Sequence, residues 1–184
     1  MTATDLAEFL SRHSRISRNT AQWPKGIELE VSGYLCSEAP PANLVSSVRA
    51  IVFKEDRVLV MRNMDGVYIL PGGRVEDGET HVETLQRELL EEAGAEIRAI
   101  VQFGLIHLRH TTPKPKDHPY PYPDFLWPVY VASFVRSRPE ARVEDGYGIS
   151  SEFMPLQKVR GLALDGFEGT FLEEAVRIAA DMAC

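Results

Sequence analysis

The chain has 184 residues, of which 44 % are hydrophobic and 26 % charged, a composition that allows one globular domain with a buried core. Its net charge of -7 argues against a nucleic acid polymer as the main partner, because such polymers are bound through basic surfaces. Its two cysteines, Cys36 and Cys184, form neither a disulfide framework nor a zinc pattern, and no apolar run approaches transmembrane length. We therefore expect a cytoplasmic protein with no membrane partner.

Residues 1–43 are predicted to form an extension ahead of a core domain that spans residues 44–184. Within the extension, Asp5–Ser11 has apolar residues at helical spacing. The alternating segment Ile27–Val31 predicts a strand with one buried face. Two arrangements fit this pattern: a homodimer in which the strand crosses between subunits, or an extra helix and strand packed on their own domain.

The first part of the core domain predicts strands. Two apolar, β-branched runs, Val45–Phe53 and Arg57–Met61, are joined by a short charged turn and predict a β-hairpin. A third short strand, Val67–Leu70, is predicted to enter the turn Pro71–Gly73. Arg62, at the end of the second strand, either reaches a phosphate of a substrate or extends into solvent.

Residues Thr80–Ala93 predict a helix with well-defined ends. Thr80 and Glu83 have the spacing of a capping box, and Gly94 follows the last periodic residue, where a left-handed cap is expected. An apolar arc of about 80° consists of Val82, Leu85, Leu89 and Ala93. A neighbouring acidic arc consists of Glu88, Glu91 and Glu92. One face of the helix is therefore expected in the core, and the next face is anionic.

The acidic arc is unfavourable for an isolated helix. Each like-charged pair at i,i+3 or i,i+4 spacing should cost about 0.2–0.5 kcal/mol, and Arg87, four residues before Glu91, recovers only a similar amount. A hard divalent cation would reverse this penalty, because Mg²⁺ and Mn²⁺ prefer carboxylate oxygens. The arc therefore predicts a divalent-metal site. The alternative, a solvated acidic face, leaves the glycine-rich turn before the helix unexplained.

Six of the twelve prolines lie between Pro113 and Pro128, and such a density excludes helix and predicts a stiff, extended loop. Tyr120 and Tyr122 in this loop either stack on a nucleobase or cover the core. The rest of the sequence predicts two strands and a final helix, at Trp127–Phe134, Glu152–Leu156 and Thr170–Ala183.

The glycine-rich turn and the acidic helix together resemble the signature of the Nudix hydrolases. Its fixed positions are held by Gly73, Glu79, Arg87, Glu88, Glu91, Glu92 and Gly94. A chance match to these seven residues at a given start is on the order of 10⁻⁸, so the resemblance is specific. It covers about an eighth of the chain, and it departs from the family pattern at Ala95, where a larger aliphatic residue is usual.

The resemblance implies an α/β fold, a Nudix-type α/β/α sandwich with a mixed sheet. The acidic helix would cover one face of that sheet and the C-terminal helix the other. The resemblance also implies that Glu88 and Glu92 are the main ligands of Mg²⁺ or Mn²⁺. Glu91 would be a third ligand, and the carbonyl of Gly72 would complete the set.

Two further roles follow from the resemblance. An ion pair between Arg87 and Glu79 would hold the turn and the helix in register. The general base differs among members of the family, and many take it from outside the signature. Glu144 is our candidate for this base, ahead of Asp145 and Glu152.

The function that the resemblance implies is metal-dependent hydrolysis of the diphosphate bond in a nucleoside diphosphate linked to another group, a small nucleotide-type molecule. Two alternatives stay open. A nucleotide-sensing module keeps the fold without turnover, although the acid set is intact in this chain. An isoprenoid diphosphate isomerase shares the fold but requires a cysteine beside the pocket, for which Cys36 is the candidate.

Overall fold

The computed structural model describes residues 3–116, 118, 120–143, 148–164 and 166–182. Its strands are β1 (Ser14–Trp23), β2 (Ile27–Leu35), β3 (Arg49–Lys54), β4 (Arg57–Asn63), β5 (Val67–Tyr68), β6 (Ala95–His110), β7 (Asp124–Ser137) and β8 (Gly148–Pro155). Its helices are α1 (Ala3–Ser11), α2 (His81–Ala93), α3 (Leu156–Val159) and α4 (Glu168–Met182). Single 3₁₀ turns lie at Pro24–Gly26, Ala42–Leu44 and Pro139–Ala141.

The strands of the described residues form one sheet in the order β1-β2-β6-β7-β3-β4-β5, with β8 paired to β4. The pairing of β3 with β7 is parallel, and the other strand pairings are antiparallel. The parallel pair places Arg49 beside Val129, so that β3 and β7 run in the same direction from the same end of the sheet. The predicted mixed sheet is confirmed.

Two helices cover opposite faces of this sheet. Successive side chains of a strand point to opposite faces, so the contacts of neighbouring residues show which helix covers which face. Ile51 of β3 packs in one core cluster with Phe171 of α4. Ala50, its neighbour in sequence, packs in the other with Leu85 and Leu89 of α2. The expected α/β/α sandwich is therefore confirmed, with the acidic helix on one face and the C-terminal helix on the other.

The N-terminal extension packs on its own chain. It contributes two strands to the sheet, since β1 pairs with β2 and β2 pairs with β6. Helix α1 buries Leu6 and Phe9 in a cluster with Leu105 and Leu126 of the sheet. The division of the chain at residue 43 stays a prediction.

The structure differs from the expected strands most at β6, β1 and β7. β6 (Ala95–His110) has no counterpart in the sequence-based expectation. β1 is absent from the sequence-based expectation because it is polar along most of its length, with the burial pattern of an edge strand. β7 begins at Asp124, so that Phe125 and Pro128 belong to a strand and not to the proline-rich loop. That loop is consequently shorter than its proline pattern indicates.

The apolar arc of α2 is also narrower than predicted. Val82 is 41 % exposed, because the contact of the helix with the sheet is made by Leu85 and Leu89, one and two turns further along. None of the described helices is long and apolar enough to cross a membrane.

Replacing Phe9 by alanine should lower the free energy of unfolding by about 3–5 kcal/mol, because its ring is buried between α1 and the sheet. Chemical denaturation measures the change. Glu8→Ala, on the exposed side of α1, is the matched control and should change it by less than about 0.5 kcal/mol. Equal effects of the two substitutions would contradict the packing of α1.

The same experiment tests whether the extension is exchanged between two copies. When the extension packs on its own chain, the unfolding midpoint should not depend on protein concentration. Exchange of α1 and β1 in a dimer would make the midpoint rise with concentration.

Candidate active site

Helix α2 is fixed at both ends by local hydrogen bonds. The Thr80 hydroxyl accepts from the N–H of Glu83 at 3.3 Å, and the Glu83 carboxylate accepts from the N–H of Thr80 at 2.8 Å. Gly94 ends the helix in the left-handed conformation, with φ 61°. The predicted capping box and C-terminal cap are confirmed, and they determine which residues of α2 face the loop beside it.

That loop runs alongside the chain that enters β3. The Val48 N–H donates to the Gly73 carbonyl at 2.9 Å, and the Ala50 N–H donates to the Pro71 carbonyl at 3.0 Å. The carbonyl of Gly72 lies between these two acceptors and accepts neither of these hydrogen bonds. The loop backbone is therefore held to the sheet through its flanking residues.

Two consecutive positions of the loop require glycine. Gly72 has φ 132°, and a Cβ there would overlap the Val48 carbonyl oxygen. A Cβ on Gly73 would overlap the carboxylate of Glu88, which shows that Glu88 lies directly against the loop. The Gly72 N–H donates to the carboxylate of Glu92 at 3.2 Å. Two of the acids of α2 thus contact the loop backbone.

The guanidinium of Arg87 ties the loop to α2. Its Nε and Nη2 donate to the two carboxylate oxygens of Glu79 at 2.7 and 2.9 Å, and Nη2 also donates to the Arg74 carbonyl at 3.0 Å. Its Nη1 donates to Glu88 at 2.9 Å and reaches Glu91 at 3.5 Å. The ion pair between Arg87 and Glu79 is present, and it joins residues that lie before and within the helix.

Glu79 is held in its ionised form. The hydrogen bonds from Arg87, with those from the Thr84 hydroxyl at 2.8 Å and the Glu76 N–H at 3.2 Å, lower the pKa of Glu79 to about 2. The same ion pair raises the pKa of Arg87. Thr84 is fully buried, so the network continues from the loop into the packed side of the helix.

The three acids of the helix have different surroundings. The side chain of Glu88 is 15 % exposed between Arg87 and the loop, whereas that of Glu91 is 42 % exposed. Across the part of the chain that the structure describes, no three acidic, histidine or cysteine side chains converge closely enough to hold a metal ion. Gathering the acids around one ion would require Glu88 and Glu91 to turn away from Arg87.

A cavity of about 390 Å³ opens beside the loop, within the roughly 300–1,000 Å³ that is typical of ligand pockets. We refer to it as the acidic cavity. It is lined by Arg49, Asn63, Tyr68, Leu70, Gly72, Glu92, Ile106, Trp127, Phe167 and Glu168. These residues come from five strands, both covering helices and the loop, so the cavity exists only in the assembled fold.

Arg49 is the cation among these lining residues, and sequence reasoning missed it. Its guanidinium lies 4.5 Å from the centre of the Trp127 ring and donates to the Val48 carbonyl at 2.9 Å. Burial lowers the pKa of Arg49, and the charges of Glu92 and Glu88 oppose that shift. The side chain stays charged, as arginine does in proteins. Its position inside an apolar strand was the signal available in the sequence.

Glu168, the first residue of α4, is a second residue that sequence reasoning missed. It is 3 % exposed, and its Oε1 accepts a hydrogen bond from the N–H of Ile69 at 3.0 Å. This bond links α4 to the segment that leads into Pro71–Gly73. The two partners are 99 residues apart, so no local motif revealed the contact.

Other residues that the sequence predicted as functional do not line the acidic cavity or lie outside the described residues. Arg62 is exposed on β4 and is not among the residues that line the cavity, although its neighbour Asn63 is. Glu152 is exposed on β8. Glu144 and Asp145 lie outside the described residues, so the assignment of Glu144 as the base stays a prediction.

The two tyrosines of the proline-rich loop take different positions. Tyr120 stacks on Phe125 with ring centroids 5.2 Å apart, and the Arg74 guanidinium lies 5.0 Å from its ring centre. Tyr122 is 40 % exposed and donates to the Thr112 carbonyl at 3.2 Å. Neither tyrosine is among the lining residues of the acidic cavity, and their role in base stacking stays a prediction.

The fold, the loop and the acidic helix together define the class of this protein. The sequence model of the NUDIX domain matches residues 43–174, which is most of the chain. The chain belongs to the NUDIX family.

Among curated proteins, the chain is similar to the NAD-capped RNA hydrolase NudC of Escherichia coli O157:H7. The identity is 26 % over 133 residues, which cover 70 % of this chain and 47 % of the relative. The NudC of Enterobacter sp. (strain 638) matches with the same identity and coverage. The chain therefore spans about half the length of these relatives.

Two solved structures share the fold. A NUDIX hydrolase from Nitrosomonas europaea is 16 % identical with a TM-score of 0.55, covering 73 % of this chain and 90 % of that one. The Bacillus subtilis pyrophosphohydrolase BsRppH is 18 % identical with a TM-score of 0.50, covering 74 % of this chain and 77 % of that one. At these identities the likeness supports the fold and not the substrate.

Replacing Glu79 by glutamine should destabilise the protein in a pH-dependent way. Because the pKa of Glu79 falls from its ordinary 4.5 to about 2, its ionised form stabilises the fold. That contribution is complete above about pH 4.5 and is lost as the pH falls towards 2. The difference in free energy of unfolding between the two proteins should therefore be constant near neutral pH and shrink below pH 4.5.

Urea denaturation at a series of pH values measures that difference. Glu76→Gln is the matched control, because it makes the same chemical change at an exposed position of the same loop. A Glu79→Gln deficit that persisted unchanged at acid pH would mean that the carboxylate charge is not what stabilises this region.

Replacing Glu168 by alanine should lower the free energy of unfolding by about 1–3 kcal/mol, because the N–H of Ile69 would be left without its acceptor in a buried place. Glu168→Gln keeps an acceptor oxygen and should lose less than about 1 kcal/mol. Calorimetric melting of the two variants makes the comparison. Equal losses in both would show that the charge of Glu168, and not its bond to Ile69, stabilises this region.

Proposed function

We propose that the chain is a Mg²⁺- or Mn²⁺-dependent pyrophosphohydrolase that cleaves the diphosphate bond of a nucleoside diphosphate linked to another group. One observation carries the proposal: Glu92 of the family signature and Gly72, which precedes its first glycine, line the same cavity as the cation Arg49. Acids that suit a metal and a cation that suits a phosphate therefore meet in one space of ligand size.

The donor set suits a hard divalent cation. Glu88, Glu91 and Glu92 offer carboxylate oxygens, and Gly72 offers a carbonyl that the neighbouring ladder leaves out. Oxygen ligands of this kind favour Mg²⁺ and Mn²⁺ over softer metals. An ion held there would neutralise phosphate oxygens and lower the pKa of the attacking water.

Arg49 supplies the chain's own positive charge to the substrate. Its guanidinium is held against Trp127 at 4.5 Å and by the Val48 carbonyl at 2.9 Å, so its direction is set before a substrate arrives. The remaining N–H groups are donors of the kind that bind phosphate oxygens strongly. A phosphate bound to Arg49 would be oriented for attack without further ordering of the side chain.

Hydrolysis also requires a group that takes the proton from water. The water oxygen forms a bond to one phosphorus, the bond from that phosphorus to the bridging oxygen breaks, and the leaving phosphate keeps the electron pair. A carboxylate accepts the proton of the water. Glu144 is our candidate from sequence, and Glu168 is the candidate among the residues that line the acidic cavity.

The position of Cys36 argues against an isoprenoid diphosphate isomerase. Its side chain is buried in the cluster beneath α1, and its thiol donates to the Glu38 carbonyl at 3.3 Å. Burial raises the pKa of the Cys36 thiol, and the residue is not among those that line the acidic cavity. Among the described residues, no cysteine lines the acidic cavity, so none could donate a proton to a substrate bound there.

The setting that we propose is the cytoplasm, and the substrate a small nucleotide-type molecule. A free buried thiol at Cys36 suits a reducing compartment. The net charge of -7 makes extended contact with a nucleic acid polymer unfavourable. Because NudC is named as a hydrolase of NAD-capped RNA, NAD⁺ belongs among the substrates to test, both free and at the 5′ end of an RNA.

Glu92→Gln and Glu88→Gln should each lower turnover on the order of a hundredfold or more, because even the partners of metal ligands typically cost 10–100-fold. The assay is phosphate-coupled hydrolysis of nucleotides, nucleotide sugars and NAD⁺ with Mg²⁺ or Mn²⁺. Chelation of the metal should stop turnover, and its return should restore it.

Glu83→Gln is the matched control for these variants. It lies on the same helix, carries the same chemical change and keeps its capping role, since glutamine also completes a capping box. An active Glu92→Gln enzyme would overturn the ligand assignment. Metal binding without turnover of any tested substrate would favour the nucleotide-sensing module over the hydrolase.

A further inference from the structure

A second cavity, of about 520 Å³, continues the acidic cavity. Both are lined by Ile106, Trp127 and Phe167, so they share a wall and form adjoining parts of one cleft. We refer to this second space as the adjoining cavity. A molecule that occupies the acidic cavity can extend into it without leaving the protein surface.

The adjoining cavity owes much of its wall to the N-terminal extension. Asn19, Ala21 and Trp23 alternate along β1 and therefore face the same side of the sheet. Gly166, in the segment before α4, closes on Asn19, because a Cβ at that glycine would lie 3.1 Å from the Asn19 amide nitrogen. The cavity is consequently bounded by residues that lie before and after the family signature.

The walls of the two cavities differ in charge. The acidic cavity has Arg49, Glu92 and Glu168 among its lining residues, whereas none of the described residues that line the adjoining cavity is charged. The adjoining cavity has aromatic and aliphatic walls, with the Asn19 amide as a polar group. Such a lining suits a flat uncharged ring with hydrogen-bonding edges and does not suit a phosphate.

Trp127 is the junction between the two spaces. The guanidinium of Arg49 lies 4.5 Å from its ring centre, and the ring of Trp23 is nearly parallel to it, with centroids 6.0 Å apart and an interplanar angle of 19°. A cation for phosphate and an aromatic pair therefore adjoin one another. This is the order of groups along a nucleotide, with phosphate at one end and base at the other.

We propose that the adjoining cavity binds the nucleobase of the substrate, and that residues 19–23 of β1 select which base is accepted. The proposal rests on the proposed function only for the identity of the reaction. It assigns the substrate class as nucleotides whose base enters the cleft beside β1, and it gives the N-terminal extension a role in specificity.

The chain carries its own reporter for this site. Trp23 and Trp127 are its two tryptophans, and both line the adjoining cavity. Titration with AMP, GMP, CMP or UMP should quench the intrinsic fluorescence saturably for at least one base. Ribose 5-phosphate, which has no base, should not. Quenching by ribose 5-phosphate equal to that by the nucleotides would overturn the proposal.

Ala21→Phe places a ring inside the adjoining cavity and should raise the dissociation constant of the quenching nucleotide about tenfold or more. Gln22→Phe is the matched control, because it puts the same ring on the opposite, exposed face of β1. It should bind as the native protein does. Should Ala21→Phe fail to fold, Asn19→Leu at the exposed mouth decides, since it removes the amide without filling the core.

These outcomes separate the site from the reaction. Nucleotide binding that weakens in Ala21→Phe or Asn19→Leu, and not in Gln22→Phe, supports the base site even when no diphosphate is hydrolysed. Binding or hydrolysis that neither Ala21→Phe nor Asn19→Leu alters overturns the base site and leaves the proposed hydrolase in place. Absence of quenching by all four nucleotides overturns it as well.

Discussion

The guanidinium of Arg87 bridges the loop and the helix that carry the acids, and the geometry of the site depends on it. Two hydrogen bonds to Glu79 and one to the Arg74 carbonyl fix the register between them. The same group holds Glu88 and touches Glu91. Because Glu79 alone would keep Arg87 paired, Glu88 and Glu91 of the proposed enzyme would exchange this partner for a metal without leaving a charge uncompensated. The ion pair thus makes a cluster of like charges tolerable before a ligand binds.

The parallel pairing of β3 with β7 determines which residues surround the acidic cavity beside that cluster. It brings Arg49 of β3 next to the part of β7 that carries Trp127. The loop Pro71–Gly73 is hydrogen-bonded to the chain that enters β3. Glu168 joins from α4 through its bond to Ile69. The acids, the cation and the loop are therefore positioned by three different kinds of contact: an ion pair, strand pairing and a buried hydrogen bond.

What could be predicted from the sequence follows the same division. The capping box, the acidic arc and the two glycines are local patterns, whose partners lie within about one loop and one helix, and periodicity identifies them. Arg49 and Glu168 were missed because each acquires its role from residues far away in sequence, as in the bond from Ile69 to Glu168. β1 was missed because an edge strand whose residues are all exposed or half-buried lacks apolar alternation. Local sequence patterns therefore identified the signature residues, whereas the residues around them depend on strand pairing and other long-range contacts.

The proposed base site would give the extension a physical role beyond stability, because residues of β1 line the adjoining cavity. A group bound between β1 and Trp127 would be held beside Arg49, so its binding energy would orient the phosphates as well as retain the molecule. The match to the NUDIX domain begins at residue 43, after β1 and β2, so the acids of α2 lie within the matched domain and the β1 wall lies before it. With the proposed base site, the same diphosphate chemistry would serve different molecules, because the base would be recognised by residues outside the signature.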